Sequence, residues 1–237
     1  MLPEGKHVRS VYMGPDTQLD TMDLSDKTFI DCSTIDVETS LAVKDFVVKL
    51  NSTAAFYDSP VSGAVEGAAA GTLAFFVGIE EDDKHFASVQ KVLLSMGAKE
   101  KIVACGPASS GLVAKISHNY LAGVLGIAAC ETMNLGIRAG LDPKVLYRVL
   151  VAGAARNPLV QNHNPVPGLV DTAPSSNGYK AGFRTALMAK DVGLGVQLAE
   201  TYNSKLVLGA PCLATYKSAL PDLANLDFTS VYRLFSQ

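Results

Sequence analysis

Residues 109–140 run SSGLVAKISHNYLAGVLGIAACETMNLGIRAG, and apolar side chains fall on nearly every face of the helix that this stretch predicts. A helix apolar all round is either buried in an assembly or spans a bilayer. Lys115, His118, Asn119, Glu131 and Arg138 interrupt the run and disfavour the bilayer. The expectation is a central helix covered by other elements and by a second subunit. Before it, the pattern alternates in short units. Residues 28–32 (TFIDC), 54–57, 73–77 (LAFFV) and 102–105 are apolar runs of strand length. Asp36 caps a helix to about Leu50, and Asp82 or Asp83 starts another to about Met96. After it, only helical patterns recur. Asp142 and Pro143 open a helix to Ala152, and residues 187–202, 210–220 and a short end from Phe228 follow. The Pro- and Gly-rich residues 157–182 read as a long irregular excursion. The predicted class is α/β followed by all-α, with residues 1–107 and 108–237 as the two domains.

Composition narrows the class without changing it. The 237 residues are 48% hydrophobic and 18% charged, an ordinary globular balance. A net charge of −3 lacks the basic footprint of a nucleic-acid binder. Cys32, Cys105, Cys130 and Cys212 form no CxxC pair, so neither a metal site nor a disulfide framework is expected, and the thiols read as reduced and mostly buried. The opening MLPEGKHVRS has no apolar core of a secretory signal and shows no targeting signal.

Candidate chemistry is sparse but placed. Lys115 and Asn119 are four apart and share a helix face, which sets an amine and an amide one turn from each other. Spacing alone leaves open an incidental lysine on a solvated turn. In DSPVSGA, Pro60 stiffens the end of a strand and Ser62-Gly63 permits close approach of backbone N–H groups to an anion, or is an ordinary turn. Lys190 beside Asp191 is equally a solvated face, and Phe183 is a core candidate as much as a ring stack.

Taken together, the segments carry more. DCSTID at Asp31 to Asp36, SPVSG at Ser59 to Gly63, AKISHN at Ala114 to Asn119, ETMNLGIRAGLDP at Glu131 to Pro143, NPVPG at Asn164 to Gly168, GF at Gly182-Phe183 and LMAKDVGL at Leu187 to Leu194 occur in that order. With MLP at Met1 to Pro3, they make the chain resemble the 3-hydroxyisobutyrate dehydrogenase family of the β-hydroxyacid dehydrogenase superfamily, related to 6-phosphogluconate dehydrogenase. The resemblance implies the C-terminal part of a Rossmann-type nucleotide-binding domain, then a helical dehydrogenase domain built on one long helix. It implies NAD as cofactor, with NADP possible, and a small β-hydroxy carboxylate as substrate: 3-hydroxyisobutyrate oxidised to methylmalonate semialdehyde in valine catabolism. Lys115 is then the catalytic base or acid and Asn119 its orienting partner. Ser62 and Gly63 bind the substrate carboxylate with them. Leu2, Pro3, Thr34, Phe183 and Lys190 contact the cofactor. A homodimer or higher homo-oligomer, with no nucleic-acid or membrane partner, is implied. So is mitochondrial residence in a eukaryote and cytoplasmic residence otherwise.

The departures are specific. The family's second Gly after Gly63 is Ala64, its Gly ahead of the catalytic helix is Ser109, and the Asn before the orienting Asn is His118. No G-x-G-x-x-G occurs, and the first residues match a point well inside the family's cofactor domain. The phosphate-binding half of the dinucleotide site is therefore expected to be absent from these residues, with weak dinucleotide binding and an exposed edge strand as the consequence. Two other readings stay open: a catalytically impaired relative serving as a binding or scaffold subunit, and a dehydrogenase for another small β-hydroxyacid.

Overall fold

The computed structural model describes residues 1–180 and 182–236. The chain forms two compact units, Met1–Ser117 and His118–Gln237, each described by itself below.

The first unit runs α1 (Gly5–Met13), β1 (Thr28–Asp31), α2 (Val37–Leu50), β2 (Ala55–Asp58), β3 (Val61–Ser62), α3 (Ala64–Ala70), β4 (Leu73–Val77), α4 (Phe86–Leu93) and β5 (Gly97–Ala104). β1 and β2 pair in parallel, Thr28 opposite Ala55 and Asp31 opposite Asp58. β3 is antiparallel to β4, and β4 parallel to β5. The Gly78 N–H donates to the Asp58 carbonyl (2.8 Å) and the Phe76 N–H to the Pro60 carbonyl (3.0 Å), which joins the two ladders. The connection from β1 to β2 is α2, started by the Asp36 carboxylate accepting from the Thr39 N–H at 2.7 Å. Val43 and Val47 on α2 pack with Val8, Ile35 and Phe56 as one apolar cluster; Tyr57, Phe75, Ile79 and Leu93 build a second.

Three expectations in this half change. The two-residue β3 and the helix α3 carry no apolar periodicity and went unread. β5 starts at Gly97 rather than Ile102, because the exposed Lys99, Glu100 and Lys101 still belong to the strand beside β4. Helix α4 starts at Phe86 rather than at Asp82 or Asp83; in the turn ahead of it the Asp83 carboxylate accepts from the His85 N–H (2.8 Å) and the Tyr57 hydroxyl (3.1 Å).

The second unit is helical. The long helix α5 (Ser110–Arg138) enters it from the first, followed by α6 (Pro143–Ala152), α7 (Pro158–Gln161), a 3₁₀ turn (Pro174–Asn177), α8 (Thr185–Thr201), α9 (Gly209–Leu223), a second 3₁₀ turn (Phe228–Val231) and α10 (Tyr232–Phe235). The residues dividing the units lie inside α5, because Leu112 belongs to a core cluster of the first unit while Ile127, Cys130 and Met133 belong to the core of the second. Gly126 lets α5 approach closely: a Cβ there would lie 2.6 Å from the Phe228 ring. The Tyr216 hydroxyl donates to the Gly123 carbonyl at 2.9 Å, which satisfies it within the core. The cover over α5 is incomplete. Leu121, Ala128 and Leu135, seven apart, form an exposed stripe, with Leu135 71% exposed. All four cysteines are free; Cys130 and Cys212 are buried, whereas Cys32 and Cys105 are half-exposed, fewer buried than expected.

The excursion at residues 157–182 is more ordered than its composition predicts. The Ser175 hydroxyl donates to the Asn164 carbonyl and the Tyr179 hydroxyl to the Pro165 carbonyl, both at 2.6 Å. These are side-chain-to-backbone ties that hold a segment without periodic hydrogen bonding. Ala181 of this stretch lies outside the described residues.

Candidate active site

In the first unit the sequence-derived residues gather along the carboxyl ends of β1 and β2. Thr34 follows β1 and Ser62 follows β2, so both lie on the edge where open α/β sheets receive ligands. Leu2 and Pro3 come to the same edge because the Leu2 N–H donates to Ser33 Oγ at 2.8 Å, and Ser33 Oγ donates to Asp31 Oδ1 at 2.6 Å. The edge presents hydroxyl and backbone groups, while Asp31 and Asp58 are buried and engaged by N–H and O–H donors.

Asp58 is a residue that the sequence reading passed over. Its Oδ1 accepts from the Ser109 N–H at 2.7 Å and its Oδ2 from the Leu112 N–H at 2.8 Å. These are N–H groups at the start of α5, which no residue of its own turn satisfies. Asp58 therefore caps the helix from a distant strand. Burial pushes its carboxyl above the usual range, opposed by the two N–H donors and reinforced by neighbouring Asp31. Gly111 is required by this contact: a Cβ there would lie 2.8 Å from Asp58 Oδ2 and collide with the Phe76 carbonyl. Four residues after Asp58 comes Ser62, half-buried on β3, then Gly63 with φ 137° and Ala64 with φ 53°. One short segment thus carries both the cap of α5 and the candidate carboxylate loop. Lys115 is 7% exposed on the second turn of the helix so capped.

In the second unit Asn119, one turn beyond Lys115 on α5, is 5% exposed. Its Nδ2 donates to Asp191 Oδ2 at 2.5 Å. Asp191 on α8 is 1% exposed, and its Oδ1 lies 2.9 Å from Lys190 Nζ. The solvated face weighed for Lys190 and Asp191 is overturned for the aspartate. It is a buried carboxylate that ties an amide and an ammonium together, which is how a buried charge is tolerated. Asn119 Oδ1 lies 2.9 Å from His118 Nδ1. Phe183 packs edge-on to Phe228, ring centroids 6.4 Å apart, and its N–H donates to Asp227 Oδ2 at 2.9 Å. Asp227 also accepts from the Thr229 hydroxyl and N–H, and burial pushes its carboxyl up against these bonds. The sequence assigns Asp58 and Asp227 no role and Asp191 only that of a solvated neighbour of Lys190, because each has a hydrogen-bond partner 44 or more residues away. Among the described residues no cluster of His, Cys, Asp and Glu is arranged to hold a metal ion.

Residues 1–106 match the family described as the NAD binding domain of 6-phosphogluconate dehydrogenase, and residues 109–235 that described as NAD-binding of NADP-dependent 3-hydroxyisobutyrate dehydrogenase. A probable mitochondrial 3-hydroxyisobutyrate dehydrogenase of Dictyostelium discoideum is 41% identical over 234 residues, covering 98% of this chain and 70% of the relative. An NAD-dependent L-serine dehydrogenase of Pseudomonas aeruginosa is 37% identical, covering 99% of this chain and 77% of the relative. The solved Mycobacterium tuberculosis 3-hydroxyisobutyrate dehydrogenase with L-serine superposes with a TM-score of 0.90 at 35% identity, over 100% of this chain and 78% of that one.

Proposed function

The chain belongs to the 3-hydroxyisobutyrate dehydrogenase family of NAD(P)-dependent β-hydroxyacid dehydrogenases, and from that premise we propose that it oxidises 3-hydroxyisobutyrate to methylmalonate semialdehyde, as a step of valine breakdown. The observation that carries the proposal is the buried pair on α5: Lys115 and, one turn on, Asn119, the latter bonded to Asp191. NAD(P), when bound, supplies the hydride acceptor. Leu2, Pro3, Thr34, Phe183 and Lys190 would contact its nicotinamide portion.

The work of the protein's own residues is proton transfer and orientation. Lys115 Nζ takes the hydroxyl proton as the carbonyl forms and returns it in the reverse direction. An Nδ2–H of Asn119 donates to the same oxygen and holds it in line, which contributes orientation rather than acid–base chemistry. Ser62 Oγ and the Gly63 N–H receive the carboxylate. Asp191 keeps Asn119 from rotating and offsets the Lys190 charge.

L-serine is the second reading. It shares the primary alcohol and carboxylate and places an amino group where 3-hydroxyisobutyrate has a methyl, and a relative named for it lies within the same range of identity. Initial rates with both acids, in wild type and Lys115→Ala, test the proposal. The expected result is turnover of 3-hydroxyisobutyrate in preference to L-serine, with kcat reduced about 10²–10⁴-fold in the variant. A Lys115→Ala loss of tenfold or less would refute the base; a preference for L-serine would replace the substrate.

We further propose a homodimer that covers the Leu121, Ala128 and Leu135 stripe, supported by the exposure of that stripe. Residence in the mitochondrion is proposed for a eukaryotic source, in keeping with the name of the Dictyostelium relative.

A further inference from the structure

Resting on the dehydrogenase reading above, we propose that His118 is a positioning residue, which locks the Asn119 amide so that its N–H, and not its carbonyl, is offered to the substrate oxygen. Consecutive helical residues diverge by about 100° and do not normally face each other, yet His118 Nδ1 lies 2.9 Å from Asn119 Oδ1. The amide's direction follows from its other end. Asp191 Oδ2, an acceptor with no hydrogen to give when ionised, sits 2.5 Å from the Asn119 nitrogen. Turning the amide over would set its oxygen against that carboxylate. The oxygen therefore faces His118, and the imidazole must carry a hydrogen on Nδ1 to donate to it.

The amide is thus gripped at both ends. Lys190 Nζ, 2.9 Å from Asp191 Oδ1, pairs with the aspartate and extends the chain of contacts to four residues: Lys190, Asp191, Asn119 and His118. Asn119 retains a second Nδ2 hydrogen, so the group it has left to give is a donor. A donor suits an oxygen that loses its proton to Lys115 and gains negative character as the bond to carbon changes. Asn, which the family usually carries at position 118, can also donate to Asn119 Oδ1; Leu cannot.

Two measurements on the full chain test this. In protein labelled with ¹⁵N-histidine near neutral pH, the His118 ring, assigned by its loss in His118→Asn, should show a hydrogen on Nδ1. Asp191→Asn should shift the ring toward the Nε2–H form, because the amide is then free to turn. In kinetics, His118→Leu should lower kcat roughly two- to tenfold, the loss of one neutral hydrogen bond, with cofactor affinity unchanged, and His118→Asn should restore most of it. An Nε2–H ring in the wild type, or a His118→Leu enzyme as fast as wild type, overturns the proposal. The two arms separate its failure from that of the functional reading. An Nδ1–H ring in a protein without β-hydroxyacid dehydrogenase activity refutes the function and upholds the contact. An Nε2–H ring in an active enzyme does the reverse.

Discussion

Ser109→Gly should stabilise the protein. Ser109 has φ 71°, a left-handed conformation that costs a residue with a Cβ about 1–2 kcal/mol. Its Oγ is buried and, among the described residues, has no hydrogen-bond partner, a further cost of about 1–3 kcal/mol. Glycine removes both penalties and keeps the N–H that donates to Asp58 Oδ1. Against this stands the wider unfolded ensemble of a glycine, about 0.4–1 kcal/mol. The balance is a gain of about 1–4.5 kcal/mol, measured as ΔG of unfolding in urea. At about 2–4 °C per kcal/mol for a chain of this size, Tm should rise by at least about 2 °C. Ser109→Ala separates the two causes, since it deletes the hydroxyl and keeps the strained backbone; it should gain less than Ser109→Gly. Ala64→Gly, at φ 53° and on the surface, relieves strain alone and should gain at most about 1.5 kcal/mol. An unchanged or lower Tm for Ser109→Gly would refute the account of strain and orphaned hydroxyl at the start of α5.

Asp227 yields a pH test. Burial raises its carboxyl, so the native state holds the proton more tightly than the unfolded chain does. The stability it contributes is full below the ordinary carboxylate range and falls as pH rises through the raised native value. The stability of wild type relative to Asp227→Asn, from urea titrations, should therefore be greater near about pH 4 than near about pH 7; a difference that grows with pH would contradict this. Leu135→Glu places a charge in the exposed apolar stripe and should move the protein to monomer in sedimentation at micromolar concentration, with little loss of fold. A wild type already monomeric there would remove the basis for the dimer.

The elements legible in the sequence are those whose cause is local. Asp36 and Asp142 cap α2 and α6 through N–H groups two or three residues away, and Pro143 opens α6 where a proline fits. LAFFV makes β4 with the bounds its apolar run predicts. β3, α3 and the first part of β5 were not legible. β3 is two residues long and set by its pairing with β4, α3 buries no residue, and Lys99, Glu100 and Lys101 of β5 are exposed, so no pattern marks them. The order within residues 157–182 was hidden for a related reason: Ser175 and Tyr179 are tied to carbonyls 11 and 14 residues back.

The candidate site divides along the same line. Lys115 and Asn119 were legible because four residues of helix bring them together whatever surrounds them. What holds them was not. Asp58 reaches α5 across 51 and 54 residues, Asp191 reaches Asn119 across 72, and Asp227 reaches the Phe183 N–H across 44. A buried carboxylate is costly unless several donors meet it, so each of these contacts presupposes the completed fold. That requirement also gives the contacts their use. Such a carboxylate tolerates little displacement of its donors, because each bond lost leaves an unpaired charge in a dry interior. Two of the three fix a segment bearing a candidate residue, Lys115 or Phe183, and the third fixes the candidate amide itself. Rigidity at the proposed site is thus bought with burial of charge. The positions at which substitution should most disturb orientation are accordingly those that no short motif reveals.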